Sequence, residues 1–435
     1  MPKRYPYDLS HYSFMAGKVG RLMTLTNIPV IAGDSMGVNV AGAVRMSPLR
    51  RDLSLDAMID LFAFFVPHRH VYGEDWISFI RDGIDETVTF DTTTITVANE
   101  PHYLGFNGVN GAIPLWYVSG YNRIWNRYFR VPNGGLNELP TDNSAASLQS
   151  TSEGRLYGQL CARLKTFPTS GHGGTDTTAD DNSFVAPVDG TTATISLAAF
   201  DRQRAHFKSE LERYWFGRRY TDVLERHFGG FANADADERP TLLMRDSQWI
   251  SGYDVDGSAD ANLGQYAGKA ATIMDINVPT RFYPEHGVLW VMALVRFPTI
   301  FELEIPYHLR HPQLDYERAS GDPDIVGARE PHTVLRNELF NGVSSTDTTT
   351  LGLHPYGQWY RYQPSAIHHR FDQLSGFPFL NYVPTTQIAA QYHQEGDYDN
   401  VFATTQLGHW RSQMRVNAMV RRVTPGPLSS IYTGA

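Results

Sequence analysis

The chain has 435 residues, of which 42% are hydrophobic, 12% aromatic and only 19% charged, with a formal net charge of −9. This composition excludes a disordered chain and a protein that coats nucleic acid with its whole surface, and it fits large packed or interfacial surfaces. No run of about 18 apolar residues occurs, and "MPKRYPYDLS" has no apolar stretch, so neither a membrane-spanning helix nor a signal peptide is expected.

The single cysteine, Cys161, cannot close an internal disulfide, which fits synthesis in a reducing cytoplasm. It reads as a small buried hydrophobe. Of the 37 basic residues only five are lysine (Lys3, Lys18, Lys165, Lys208 and Lys269), which leaves 32 arginines. Arginine is the cation favoured at interfaces, because its rigid, weakly hydrated fork pairs with carboxylate or phosphate.

In chain order, "PVIAGDSMG" (29–37) comes first, with the G-x-S-x-G pattern of a serine hydrolase and Ser35 as the formal nucleophile. The chemistry needs a strand before the serine and a helix after it. "TLTNIPVI" can be the strand, but "VNVAGAV" is β-branched and glycine-broken, so a Gly/Asp/Ser turn between strands is expected. "MIDLFAFFV" (58–66) is a continuous apolar run stopped by Pro67, as in a buried strand. "VPHRHVYGEDW" sets His68 and His70 two apart, followed by Glu74 and Asp75. On a strand the two imidazoles would share a face and could reach one metal, although the acids also suit a helix N-terminus.

Threonine-rich "TFDTTTITV" (89–97) and "DGTTATISL" (189–197) predict surface strands, and "DNSAASLQSTSEG" and "TSGHGGTDTTADDNS" predict loops. Helices are predicted at 197–230, ending at Gly229-Gly230, and at "GEDWISFIRDG" and "WNRYF". "SGYDVDGSAD" resembles a calcium loop with Asp254 and Asp256 as ligands. However, Ala259 stands where a glycine is needed and Gln265 where a glutamate is needed, so it is not an EF-hand. A looser calcium or sugar site at Asp254 and Asp256 competes with an ordinary Asp-Gly turn.

"GVLWVMALVRF" (287–297) is a second apolar strand. "GQWYRYQPS" (357–365) offers aromatics for base stacking or interface packing. In "HWRSQMRVNAMVRRV" (409–423), Trp410, Met414, Val416, Ala418 and Val420 point one way and Arg411, Gln413, Arg415, Asn417 and Arg421 the other. Arg411, Arg415, Arg421 and Arg422 are the candidate contacts, either with nucleic-acid phosphates or with acids of a neighbouring subunit. No phosphate-binding glycine loop and no catalytic constellation is found. Strands this far apart predict large insertions on one antiparallel β core, as in a jelly roll. The core strands include about 58–66, 287–297 and 409–423, with insertions at about 85–280 and 300–405.

Several phrases in order, "PYDLSHYSFMAGKVGRL", "PVIAGDS", "MSPLRRDLSLDAMIDLFAFFVPHRHVYGEDWISFIRDG", "GRRYTDVLERHFGG", "SQWISGYDVDGSADANLGQ", "FYPEHGVLWVMALVRFP", "GQWYRYQPS" and "LSGFPF", resemble the major capsid proteins of microviruses. These are small single-stranded-DNA bacteriophages, and the likeness is to capsid protein F of the phiX type. The resemblance implies an all-β, eight-stranded antiparallel jelly roll with very long insertion loops, a single domain over residues 1–435, building a T=1 icosahedral shell through pentamers. It also implies spike proteins, a small basic DNA-packaging protein, internal and external scaffolding proteins, the circular ssDNA genome and host lipopolysaccharide as partners, no cofactor and no catalysis. The competing reading is a β-rich hydrolase or carbohydrate-binding protein that uses Ser35 or Asp254 and Asp256.

Overall fold

The computed structural model describes residues 4–49, 56–73, 75–76, 90, 92–95, 102–105, 111–130, 138–139, 141, 239–255, 267–298, 332–335, 337, 350–354, 360–361, 363, 398–403 and 408–422. Two compact units divide the chain. The first joins residues 1–168 to 240–435, and the second is 169–239. All that follows concerns the first.

The strands are β1 (Tyr5–Asp8), β2 (His11–Gly17), β3 (Leu22–Val30), β4 (Ser35–Met46), β5 (Ala57–Pro67), β6 (Thr92–Ile95), β7 (Gly111–Pro114), β8 (Thr241–Val255), β9 (Ala267–Phe282), β10 (Gly287–Arg296), β11 (His332–Leu335), β12 (Thr350–His354) and β13 (Trp410–Arg422). Eight of them form the core. Strand β2 pairs with β13, β3 with β10, β4 with β9 and β5 with β8, all antiparallel. The first core strand thus meets the eighth, the second the seventh, the third the sixth and the fourth the fifth. That is a long hairpin of four strand pairs. Its wrapping adds the contacts β13 to β4 and β10 to β5, and the outcome is a jelly roll, as expected.

One sheet has the order β2-β13-β4-β9 and the other β3-β10-β5-β8. Strand β8 joins them, pairing with β5 along its first part and with β9 over Ser251–Val255. Strand β1 continues β2 along the same edge of β13. At the break between them the Leu9 amide still donates to the Ala418 carbonyl (2.9 Å), and Ser10 Oγ accepts from the Ala418 amide (3.1 Å).

The two sheets differ in what covers their outer faces. Helix α1 (His68–Tyr72) follows β5, and helix α2 (Leu115–Ile124) runs into a π-helical turn at Trp125–Phe129. Helix α2 and its turn lie on the outer face of β3-β10-β5-β8. A Cβ on Gly120 would stand 3.0 Å from the Trp290 indole. Phe129 meets the Phe62 ring edge-on at 5.0 Å, and the Tyr121 hydroxyl donates to the Leu22 carbonyl at 2.9 Å. With both faces covered, β5 and β10 are buried almost throughout, which explains their apolar sequence, and the charged exceptions, Asp60 and Arg296, pair with each other at 2.6 Å. Strand β13, by contrast, alternates buried and exposed along its length, with the apolar set predicted for it facing the core.

The insertions run from 68 to 240 and from 297 to 409. The first was expected to reach about 280, but β8 and β9 lie inside that stretch. They were missed because each shows solvent much of its length and carries polar residues there, which dilutes the strand pattern. Of the predicted surface strands, 89–97 contains β6, and 189–197 lies outside the described residues, as do Cys161 and the helix predicted over 197–230. "WNRYF" is the tail of a longer helix whose start, "LWYVSGYNRI", holds too many weak helix formers to be read from sequence.

Gly42 faces the core from β4 where β13 packs against it, and a Cβ there would clash with the Gln413 carbonyl and the Met414 side chain. The substitution Gly42→Ala is expected to destabilise the fold by roughly 1–3 kcal/mol, the usual range for overpacking. A chemical denaturation midpoint equal to that of the parent chain would show that the strands can separate to admit the methyl group.

Candidate functional site

The G-D-S segment turns between β3 and β4, with Gly33 at φ 89°. Ser35 is the first residue of a strand, opposite Arg421 on β13 and Phe282 on β9, and Arg4 Nη1 donates to its hydroxyl at 3.4 Å. No helix follows it, so the nucleophile geometry is missing. The residue that matters is its neighbour. Asp34 has 0% exposure, and its Oδ2 accepts from Arg422 Nε (3.0 Å) and from the Ile31 amide (2.9 Å). Its backbone exchanges hydrogen bonds with the β9–β10 corner, where the Tyr283 amide donates to the Asp34 carbonyl (2.9 Å) and the Gly33 amide to the Tyr283 carbonyl (2.8 Å).

His68 and His70 lie on α1 rather than on a strand. Two positions apart on a helix they diverge by about 200°, so the shared face assumed for a metal does not form. Among the described residues no cluster of metal-ligating side chains exists. His68 packs in a nest of aromatic rings, stacked on Trp116 at 4.2 Å and tilted against Trp76 at 4.7 Å. Burial, with a smaller contribution from nearby His286, pushes its pKa down to about 4. Asp254 falls on β8, where it pairs through the backbone with Gly268, and Asp256 is outside the described residues, as is Glu74. Of "GQWYRYQPS" only Tyr360, Arg361 and Gln363 are described, and all three are exposed.

The uncovered outer face of β2-β13-β4-β9 gathers the remaining candidates. The register sets Tyr12, Arg415, Ala41 and Asp275 in one row, and Phe14, Gln413, Ala43 and Ile273 in the next. Tyr12 is 68% exposed, Phe14 73% and Ile273 76%. A third row is polar. Asn417 Nδ2 donates to Asn39 Oδ1 (3.3 Å), and Asn39 Nδ2 donates to Asp275 Oδ1 (2.5 Å). Arg411 and Arg421 also lie on this face, whereas Arg422 has the opposite parity and turns inward to Asp34. Exposed Asp8 closes the far end. Its pKa is held low first by hydrogen bonds from Ser10 and less by Arg415. Beside Tyr12 and Phe14 a cleft of about 560 Å³ opens between the edges of β2 and β3. It is spanned by His11 Nε2 and Thr26 Oγ1 at 2.7 Å, and by a hydrogen bond from Ser13 Oγ to the Leu25 carbonyl at 2.6 Å.

Comparison with known proteins meets this geometry with a family. The family model described as "Capsid protein (F protein)" matches residues 1–171 and 137–431. Capsid protein F of Escherichia phage G4 is 36% identical over 99% of this chain and 98% of its own length. The counterpart from Enterobacteria phage phiK is 35% identical over 98% of this chain and 97% of its own, and that from Escherichia phage alpha3 is 35% identical over the same shares. The chain belongs to the capsid protein F family. Its role is therefore structural, as a capsid subunit of a bacteriophage virion and not as an enzyme. Within that role the G-D-S motif is a turn, and its aspartate is a structural ion-pair partner.

Three outcomes follow for the capsid subunit. Asp34→Asn removes the charge opposite Arg422, which is itself largely buried, and is expected to cost on the order of 3 kcal/mol. Ser35→Ala should stay within about 0.5 kcal/mol of the parent. Equal melting temperatures for Asp34→Asn and the parent would remove the clasp from the account of stability. For His68 the folded pKa lies below the unfolded one, so the unfolded chain takes up the proton first. Stability is lost as pH falls from about 6.5 to about 4. At pH 5 the loss amounts to about 2 kcal/mol. His68→Phe, which keeps a ring against Trp116, should flatten that part of the melting-temperature profile, and an unchanged slope between pH 7 and 5 would contradict the assignment.

Proposed function

We propose that the subunit self-associates through pentamers into a small T=1 icosahedral shell around a circular single-stranded DNA genome. The shell carries spike proteins on its outside and contacts host lipopolysaccharide. A small basic DNA-packaging protein and internal and external scaffolding proteins complete its partners. The observation that carries this reading is the near full-length match to capsid proteins F, on a chain whose core strands pair as a jelly roll.

The physical chemistry supports it in two ways. A closed shell of identical copies is stable because many modest contacts are repeated by symmetry and reinforce one another. A chain 12% aromatic and rich in arginine has the residues such contacts use. Its net charge of −9 cannot balance a packed genome, so a separate basic protein is needed to offset the phosphates. The basic residues this chain does show on the uncovered sheet form a local stripe.

The test is the mass and shape of the native material from infected cells, by light scattering and negative-stain microscopy. Uniform icosahedral particles with this chain as the main component and nuclease-protected single-stranded DNA inside are expected. A persistent monomer or dimer that never enters particles would refute the proposal.

A further inference from the structure

Strand β8 has an open edge. On one side it pairs with β5 along Thr241–Ile250, and on the other it meets β9 only over Ser251–Val255. Between Thr241 and Ile250 that second side carries no ladder among the described residues. The Ser247 amide donates to the carboxylate of its neighbour Asp246 at 2.9 Å. That bond marks Ser247, and by the alternation of an antiparallel ladder Arg245 and Trp249, as the residues whose backbone groups face outward.

The other free edges of the two sheets are blunted, which is how soluble proteins avoid stray strand pairing. Strand β1 is four residues long and carries Pro6. Strands β2 and β3 are bridged to each other by the His11–Thr26 and Ser13–Leu25 hydrogen bonds. The open part of β9 contains Pro279. Strand β8 has no proline, and Leu242 and Trp249 stand 40% and 49% exposed on it. Its protection is one side chain, the Asp246 carboxylate folded over an outward amide.

The sequence along this edge is complementary to itself. A bulge at Leu243 interrupts the strand at one end, and β9 takes over at Ser251. The regular free stretch is therefore Met244–Ile250, and its middle residue is Ser247. A second copy laid antiparallel about a two-fold axis at Ser247 sets Arg245 opposite Trp249, Asp246 opposite Gln248 and Met244 opposite Ile250, each twice. Arg245 and Trp249 share the outer face, since they pair with Phe62 and Met58 on β5. The half-exposed Arg245 guanidinium would meet an indole, the carboxylate an amide, and the apolar pair each other. Asp60, the acid beside Arg245, is already held by Arg296 at 2.6 Å.

We propose that the β8 edge is a contact between two copies of this chain, joining their β3-β10-β5-β8 sheets across a two-fold axis into one continuous sheet. The inference rests on the reading that the chain builds an icosahedral shell, in which two-fold axes recur, and it goes beyond that reading by naming the strand and its register. Asp246 is the gate. In the lone subunit it covers the Ser247 amide, and in the pair it turns to Gln248 of the second copy.

The experiment places S247C in a chain whose one cysteine is removed by C161S, and oxidises particles from infected cells with diamide. The two copies of position 247 would stand about 5.5 Å apart between Cα atoms, within reach of a disulfide. Most of the chain should then run at twice its 48.9 kDa on a non-reducing gel. T241C, which this register sets far from its own copy, should stay single. A second arm changes the charge at Trp249. W249K sets a cation opposite Arg245 of the second copy and should lower particle yield about tenfold or more. W249E sets an anion there and should leave the yield near the parent's. Both free subunits should melt with the parent, because the side chain is half exposed. Particles that form without the S247C dimer would overturn the proposal and leave the shell reading standing. Equal cross-linking of T241C, or equal yields for W249K and W249E, would do the same. A cross-link from S247C to a different protein would give the edge another occupant and would also overturn it. Parent material that never forms particles would refute the shell reading, and the proposal with it.

Discussion

A carboxylate withdrawn from water costs several kcal/mol unless its charge is matched, and Asp34 is matched through Oδ2, which accepts from Arg422 Nε and the Ile31 amide and so joins parts of the chain 388 positions apart. Its partner Arg422 ends the last core strand, while Asp34 itself sits in the turn between the second and third. The same turn is tied through its backbone to the β9–β10 corner. Strand β13 can pair along β4 only if its end is brought to that turn, and the β2 edge depends in turn on β13. The ion pair therefore stands where the end of the last strand must be held against the turn that begins the third, a position that propensity and hydrophobic burial do not specify by themselves.

The difference between the two sheets follows from what the insertions cover, and that much could be read in sequence. "MIDLFAFFV" and "GVLWVMALVRF" are apolar but for Asp60 and Arg296, which pair with each other, because α2 and the sandwich interior enclose both sides of β5 and β10. "HWRSQMRVNAMVRRV" alternates because one side of β13 faces the core and the other is exposed, with nothing over it among the described residues. A mainly apolar run and an alternating one state how many faces are buried. What supplied the cover could not be read. Helix α2 carries Gly120, a residue that weakens helix propensity but is needed here because Trp290 lies against it. Strand β8 is mostly exposed even where it pairs with β5, so its pattern carried too little apolar signal to register.

The candidate site was half legible for a similar reason. Alternation within one strand identified Arg411, Arg415 and Arg421, since parity is a property of consecutive residues. The same rule, had it been carried one residue further, separates Arg422 from them, and the structure sends that side chain to Asp34. Adjacency across strands is not a property of consecutive residues. That Arg45 faces Arg411, or that Tyr12 and Phe14 flank the same stripe, depends on the register of three strands hundreds of positions apart, and no local spacing encodes it. The histidines show the converse error. A spacing of two was read as a shared face on a strand, but the chain turns helical at His68, and the same spacing then sets the rings apart.

The two faces of the jelly roll thus divide the work by their chemistry. The covered sheet buries both sides of β5 and β10, so the contribution of those strands is cohesion. The other sheet alternates along β13, with Met414, Val416, Ala418 and Val420 inward and its outer positions held by arginine, asparagine, aromatic rings and the exposed Ile273 and Met419. Arg45 and Arg411, set face to face, work against the subunit's cohesion. Residues that cost a fold something in isolation are expected where the fold acts on something else, and in a capsid subunit stability in isolation is not the quantity that has to be greatest.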